Sequence, residues 1–154
     1  MNSVASLLSA NDVLLDPDVA DTTTLLVAVG ALLEQRHGLA AEAVAASLNQ
    51  REQLGSTGLG QGVAIPHARL DGLNKPMVAF VRLAAPIEFN APDGKPVGYF
   101  FVLLAPLEAT KKHLELLSVI AEMFASKTFL SQLAAAKTPQ QLYLSFANWQ
   151  HHAA

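Results

Sequence analysis

The chain has no cysteine among its 154 residues. Disulfides, thiolate metal sites and cysteine nucleophiles are therefore excluded. Charge is sparse: 10 basic and 13 acidic residues leave a formal net charge of −3, with no run of Lys or Arg. Such a surface argues against nucleic acid or an anionic membrane as a partner. Apolar residues make up 51% of the chain, yet nowhere do they run on for the roughly 18 residues that a membrane span needs. The richest segment, Val97 to Leu107, is interrupted by Gly98 and Pro106. Met1 to Leu8 lack the basic region of a secretory signal. No internal repeat stands out. The expectation is one cytoplasmic domain over residues 1–154, with a real core and no direct membrane insertion.

What is present is a clear succession of elements. Val13-Leu14-Leu15 reads as a short strand ahead of the turn-forming Asp16-Pro17-Asp18. Asp21 or Thr22 caps a helix that runs to His37 and stops at Gly38, with Leu25, Val29, Leu32 and Leu33 on its buried face. A second helix is expected from Ala40 to Glu52, burying Ala41, Val44, Ala45 and Leu48. Strands follow at Met77–Leu83 and, nearly continuous in apolar residues, at Val97–Leu104, which marks a central strand covered on both faces. Between them Pro86–Phe89 reads as extended edge, and Pro92-Asp93-Gly94-Lys95 is the strongest turn signal. Helices are expected at Thr110–Ser126, with Leu114, Leu117, Ile120, Ala121 and Phe124 on the apolar side, at Thr128–Ala136, and from Pro139 to Asn148 behind a Thr138 cap. Residues 149–154 read as a frayed tail. The pattern predicts an α/β fold: a mixed β-sheet of about four to five strands with helices on both faces.

The chemistry concentrates in Leu54 to Ala68, which holds four of the nine glycines. Clustered glycines let the backbone turn sharply or approach a ligand closely. Val63-Ala64-Ile65 reads as a strand stopped by Pro66, so that His67 emerges at its end. Other readings of the stretch fail. Gly-Ser-Thr-Gly-Leu-Gly-Gln-Gly has neither the Lys-Ser/Thr pair of a Walker loop nor the third glycine of GxGxxG. Zinc finds no HExxH and only scattered histidines, of which His151 and His152 lie on the tail and His37 is explained by its helix end. Ser56 sits in no GxSxG turn, so a serine triad is unsupported. Ser56, Thr57, Gly58 and Gly60 are the candidate backbone cradle. His113, in the first turn of its helix if Thr110 caps it, lies at the edge of the core and, when neutral, can donate one N–H to a phosphoryl oxygen or a second imidazole. Arg51, at the end of the second helix, is either a surface cation or an anion clamp. Two histidines, an arginine and a Gly-rich loop suit covalent phosphoryl transfer through an imidazole nitrogen, which is nucleophilic when neutral. No metal or nucleotide cofactor is required by that chemistry.

The segment Arg51-Glu52-x-Leu54-Gly55-Ser56-Thr57-Gly58-x-Gly60-x-Gly62-x-Ala64-Ile65-Pro66-His67 resembles the phosphohistidine motif of the IIA components of the bacterial phosphoenolpyruvate-dependent phosphotransferase system, fructose–mannitol type. The likeness continues through Pro86-Ile87-x-Phe89, Leu103-Leu104-Ala105-Pro106 and His113-Leu114. It implies that His67 is phosphorylated by a small phosphocarrier, HPr or a relative, that His113 supports the phosphohistidine by hydrogen bonding, and that Arg51 lies near the phosphoryl group. It also implies a choice of branch. The free-standing domain leans toward the nitrogen-regulatory proteins, whose phosphorylation state is read by regulatory target proteins. The alternative is a sugar-specific IIA that passes phosphate to a IIB domain.

Overall fold

A computed structural model describes residues 2–109 and 111–150. Its core is a mixed, six-stranded sheet: β1 (Val13–Leu15), β2 (Gly58–Gly60), β3 (Val63–Ala64), β4 (His67–Arg69), β5 (Met77–Ile87) and β6 (Val97–Ala105). Around it lie α1 (Thr22–His37), α2 (Ala41–Leu54), α3 (Lys111–Phe124), α4 (Lys127–Ala135) and α5 (Pro139–Asn148). The strand order is β1-β5-β6-β3-β2, and β4 also pairs with β6. Strand β6 is thus central: antiparallel to β5 on one edge, parallel to β3 and then to β4 on the other.

Residues along β5 and β6 are buried on both faces, and they alternate between two cores. Ala79, Val81, Leu83, Phe100, Val102 and Leu104 face α1 and α2, while Val78, Phe80, Phe101 and Leu103 face α3, α4 and α5. This two-sided burial explains why β6 reads as an unbroken apolar run. Five of the seven phenylalanines (80, 101, 124, 129, 146) pack on the second face with ring centroids 5.0 to 6.5 Å apart. On the first face, Gly30 lets α1 and α2 cross closely, since a Cβ there would stand 2.5 Å from the Ala41 carbonyl oxygen.

Local signals set the helix ends as expected. Asp21 accepts from the Thr24 amide to open α1, and Gly38 closes it at φ +72°. Thr138 caps α5 with Pro139 in the first position. Thr110 lies outside the described residues, as do His151 to Ala154, so the capping role expected of Thr110 and most of the expected tail fall there.

Three expectations change. The sheet has six strands because β2 and β4, each of three residues, escape a pattern that gave four to five. Met77–Leu83 and Pro86–Phe89 are not separate: β5 runs through Pro86 to Ile87, with a register irregularity between Arg82 and Ile87. Leu114, expected on the buried side of α3, is 65% exposed; the buried stripe is His113, Leu116, Ile120, Met123 and Phe124.

Candidate active site

The Gly-rich stretch folds as a hairpin. Gly60 pairs with Val63 across a two-residue turn in which Gln61 (φ 59°) and Gly62 (φ 79°) both have positive φ, as a primed hairpin turn requires. The Asp93 carboxylate accepts from the Gln61 amide at 3.1 Å and pins the tip. After β3 the chain does not leave the sheet at Pro66. The Pro66 carbonyl accepts from the Leu103 amide at 3.0 Å, and His67 opens β4 opposite Leu103. His67 is therefore held on a strand, not displayed on a loop.

Within β4 the middle residue, Ala68, enters the core beneath α1 and α2, while His67 and Arg69 share the opposite face. His67 meets His113 of α3 with ring centroids 5.7 Å apart and planes tilted by 52°. Arg51, from the last turn of α2, completes an open cavity of about 510 Å³, lined also by Ser47, Gln50, Arg69 and the apolar side chains of Leu54, Leu114 and Leu117. The structure thus brings His67, His113 and Arg51 to one cavity. Ser56, Thr57 and Gly58 line an adjoining one with His67 and Arg51. Gly60 lines neither: a Cβ there would face the Asp93 carboxylate, 3.4 Å away.

Two of the four candidate cradle amides, those of Thr57 and Gly58, are already engaged. The Thr57 amide donates to Glu52 Oε2 at 3.0 Å, and the Gly58 amide donates to Ser56 Oγ at 3.0 Å. The Thr57 hydroxyl donates to Glu52 Oε1 as well, and the Ser56 hydroxyl donates to the Phe89 carbonyl at 3.1 Å. These bonds fix the loop's shape but leave the two amides committed to the loop itself.

The two imidazoles have defined and different surroundings. Nδ1 of His67 lies 2.8 Å from the Ile65 carbonyl oxygen, which can only accept, so the ring proton sits on Nδ1 and the lone pair on Nε2. Burial pushes the His67 pKa below 6.5, helped by the Arg51 charge and opposed by the Ile65 hydrogen bond and the Glu52 charge. His113 is 7% exposed and its Nδ1 is buried without a partner among the described residues. An unpaired buried N–H is the costlier vacancy, so the proton of neutral His113 belongs on Nε2. Its pKa is lowered too, first by burial, then by the charges of His67 and Arg69. Both rings are thus biased toward the neutral form, in which His67 offers a lone pair at Nε2 and His113 an N–H.

A family described as "Phosphoenolpyruvate-dependent sugar phosphotransferase system, EIIA 2" matches residues 6–149. The chain belongs to that EIIA 2 family. Among its relatives, the nitrogen regulatory protein of Pseudomonas aeruginosa is 48% identical over 103 residues, 67% of each chain. The crystal structure of the nitrogen regulatory protein IIA-Ntr of Neisseria meningitidis superposes with a TM-score of 0.88 at 40% identity, covering 94% of this chain and 99% of that one. Mannitol IIA of Escherichia coli, solved in complex with phosphorylated mannitol IIB, shares the fold at a TM-score of 0.74 and 17% identity, over 92% of this chain and 98% of that one.

Two polar residues of this EIIA 2 domain escaped the sequence reading of the site. Glu52 stood within the motif without a role, although it holds Thr57 through both amide and hydroxyl. Arg69 carries no motif signal, yet its place two residues after His67 on a strand brings both side chains to one face.

Proposed function

We propose that this EIIA 2 domain is a phosphoryl carrier that takes a phosphoryl group onto Nε2 of His67 from an HPr-like phosphocarrier, and that regulatory target proteins read its phosphorylation state. The observation that carries this reading is the Ile65 carbonyl bonded to Nδ1 of His67. It orients the ring, leaves the lone pair on Nε2, and stabilises the positive charge that the ring acquires as the new bond forms. Nε2 forms an N–P bond as the donor's N–P bond breaks, and that electron pair returns to the donor imidazole. If each ring keeps the proton on its other nitrogen, positive charge travels with the phosphoryl group and no external base is needed. Arg51 and the N–H of His113 Nε2 steady the charge on the phosphoryl oxygens as it passes.

Relatives named as nitrogen regulatory proteins at 40–48% identity favour a regulatory output. The added group carries about −1.5 to −2 charge. It would arrive in a cavity rimmed by exposed leucines, Leu54 at 85% and Leu114 at 65%. Such a change switches a contact through desolvation cost as much as through attraction. Among the described residues no helix is long and apolar enough to cross a membrane. The test is incubation with phosphoenolpyruvate, the first enzyme of the system and the phosphocarrier, followed by mass measurement and partner capture with each form. Wild type gains one phosphate, His67→Ala gains none, and captured partners differ between the two forms. Rapid onward transfer to a IIB domain, with no partner that tells the forms apart, would instead assign the sugar-specific role.

A further inference from the structure

We propose that Arg69 is a second guanidinium clamp, holding equatorial oxygens of the transferring phosphoryl group from the β4 side while Arg51 holds them from α2. The proposal rests on the carrier reading of the same site and adds a residue to it. Three observations carry it. First, Arg69 shares the cavity with His67, His113 and Arg51, and no Asp or Glu lines that cavity. Second, neither arginine has a carboxylate partner among the described residues, where the ion pairs are Arg36 and His37 with Asp12 and Arg82 with Asp16. In a chain of net charge −3, two unneutralised guanidiniums beside two neutral-leaning imidazoles make a site for a dianion. Third, Arg69 is tethered: Nη1 donates to the Leu107 carbonyl at 2.9 Å, in the turn between β6 and α3, which holds the fork beside the cavity and leaves its other donors without a partner among the described residues. Arg51 is anchored in the same way, by Nη1 to the Gly55 carbonyl at 2.8 Å.

The charges are also paired crosswise with the rings. Arg51 acts on His67 and Arg69 acts on His113. A dianion seated between the guanidiniums therefore relieves both repulsions, and phosphoryl binding favours protons on the imidazoles that the empty site disfavours. A lysine at position 69 would keep the charge but lose the planar fork.

The test has two arms, using wild type, Arg69→Gln, Arg69→Lys and, as a charge-loss control on exposed α4, Lys127→Gln. In the first arm inorganic phosphate is titrated while the imidazole nitrogens of His67 and His113 are followed by NMR. This arm needs no phosphocarrier, so it stands even if wild type takes no phosphate from one. In the second arm the rate of phosphorylation by the phosphocarrier is measured. Loss of a charged hydrogen bond predicts that Arg69→Gln weakens phosphate binding about tenfold or more and lowers kcat/KM by a similar factor. Arg69→Lys falls between, and Lys127→Gln matches wild type. Arg69→Gln also raises the His113 pKa, an effect that loss of the Leu107 tether alone does not produce. The proposal is overturned if phosphate leaves the wild-type imidazoles unmoved, if Arg69→Gln binds phosphate or accepts the phosphoryl group as wild type does, or if Lys127→Gln is equally damaging.

Discussion

Replacing His113 with leucine separates stability from function, because the two move in opposite directions. His113 is nearly buried on the stripe that continues through Leu116 and Ile120, and its Nδ1 has no partner among the described residues. A buried polar group left unpaired costs about 1–3 kcal/mol. Leucine is close to histidine in size, fits the same apolar stripe and removes the vacancy, so His113→Leu is expected to gain about 1 kcal/mol or more. For a domain of this size each kcal/mol moves Tm by about 2–4 °C. Differential scanning calorimetry well above pH 6.5, where the lowered pKa values favour both neutral imidazoles, should therefore show a rise of at least that amount. The same substitution removes the Nε2–H that steadies the transferring group in the proposed carrier step, and loss of one such donor costs roughly 10²–10³ in rate. A lower Tm, or phosphorylation within a few-fold of wild type, would refute the assignment of His113 as a strained, functional donor.

Other outcomes follow from the same geometry. His67 and His113 both titrate below 6.5 in the folded protein, so on acidification the unfolded chain takes up protons first. The stability that they contribute is intact above about pH 6.5 and lost as pH falls below it, and phosphoryl acceptance fails only as His67 itself protonates. An acid limb centred above pH 6.5 in a rate profile would contradict this. Glu52→Gln weakens the hold on Thr57, with an expected loss of about 1–2 kcal/mol in urea unfolding, and lowers the His67 pKa further because the Glu52 charge raises it. An unchanged or raised His67 pKa by NMR titration would disprove that electrostatic link. Gly30→Ala places a Cβ 2.5 Å from a backbone oxygen of α2. Overpacking of about 1–3 kcal/mol outweighs the roughly 1 kcal/mol gained in helix propensity, so Tm falls; a rise would show that α1 and α2 separate freely.

The parts of the fold legible in the sequence are those where local chemistry and burial agree. Thr138-Pro139 opens α5 and Gly38 ends α1 because a cap and a left-handed residue act within one turn of chain. The run through β6 is legible because both faces are buried. What was not legible depends on distant partners. Gly58–Gly60 has poor strand propensity and becomes β2 only by pairing with Val63–Ala64. His67–Arg69 is too short to show a period and becomes β4 only against Leu103–Ala105, which is why Arg69 went unread while His67, marked by its motif, did not. Leu114 was misplaced because helical spacing admits two adjacent stripes on α3, and packing chose the one through His113 and Leu116. At the site, the motif singled out His67, His113 and Arg51, which the fold gathers at one cavity, but a cradle of free amides at Thr57 and Gly58 could not be judged without seeing Glu52 and Ser56 occupy them.

Which nitrogen carries the phosphoryl group is the deciding question. Long-range proton–nitrogen NMR of the protein phosphorylated through its phosphocarrier answers this, since phosphorus couples to the nitrogen that it is bonded to. Coupling at Nε2 of His67, with Nδ1 still protonated against the Ile65 carbonyl, is the predicted result. Coupling at Nδ1 of His67, or at either nitrogen of His113, would contradict it.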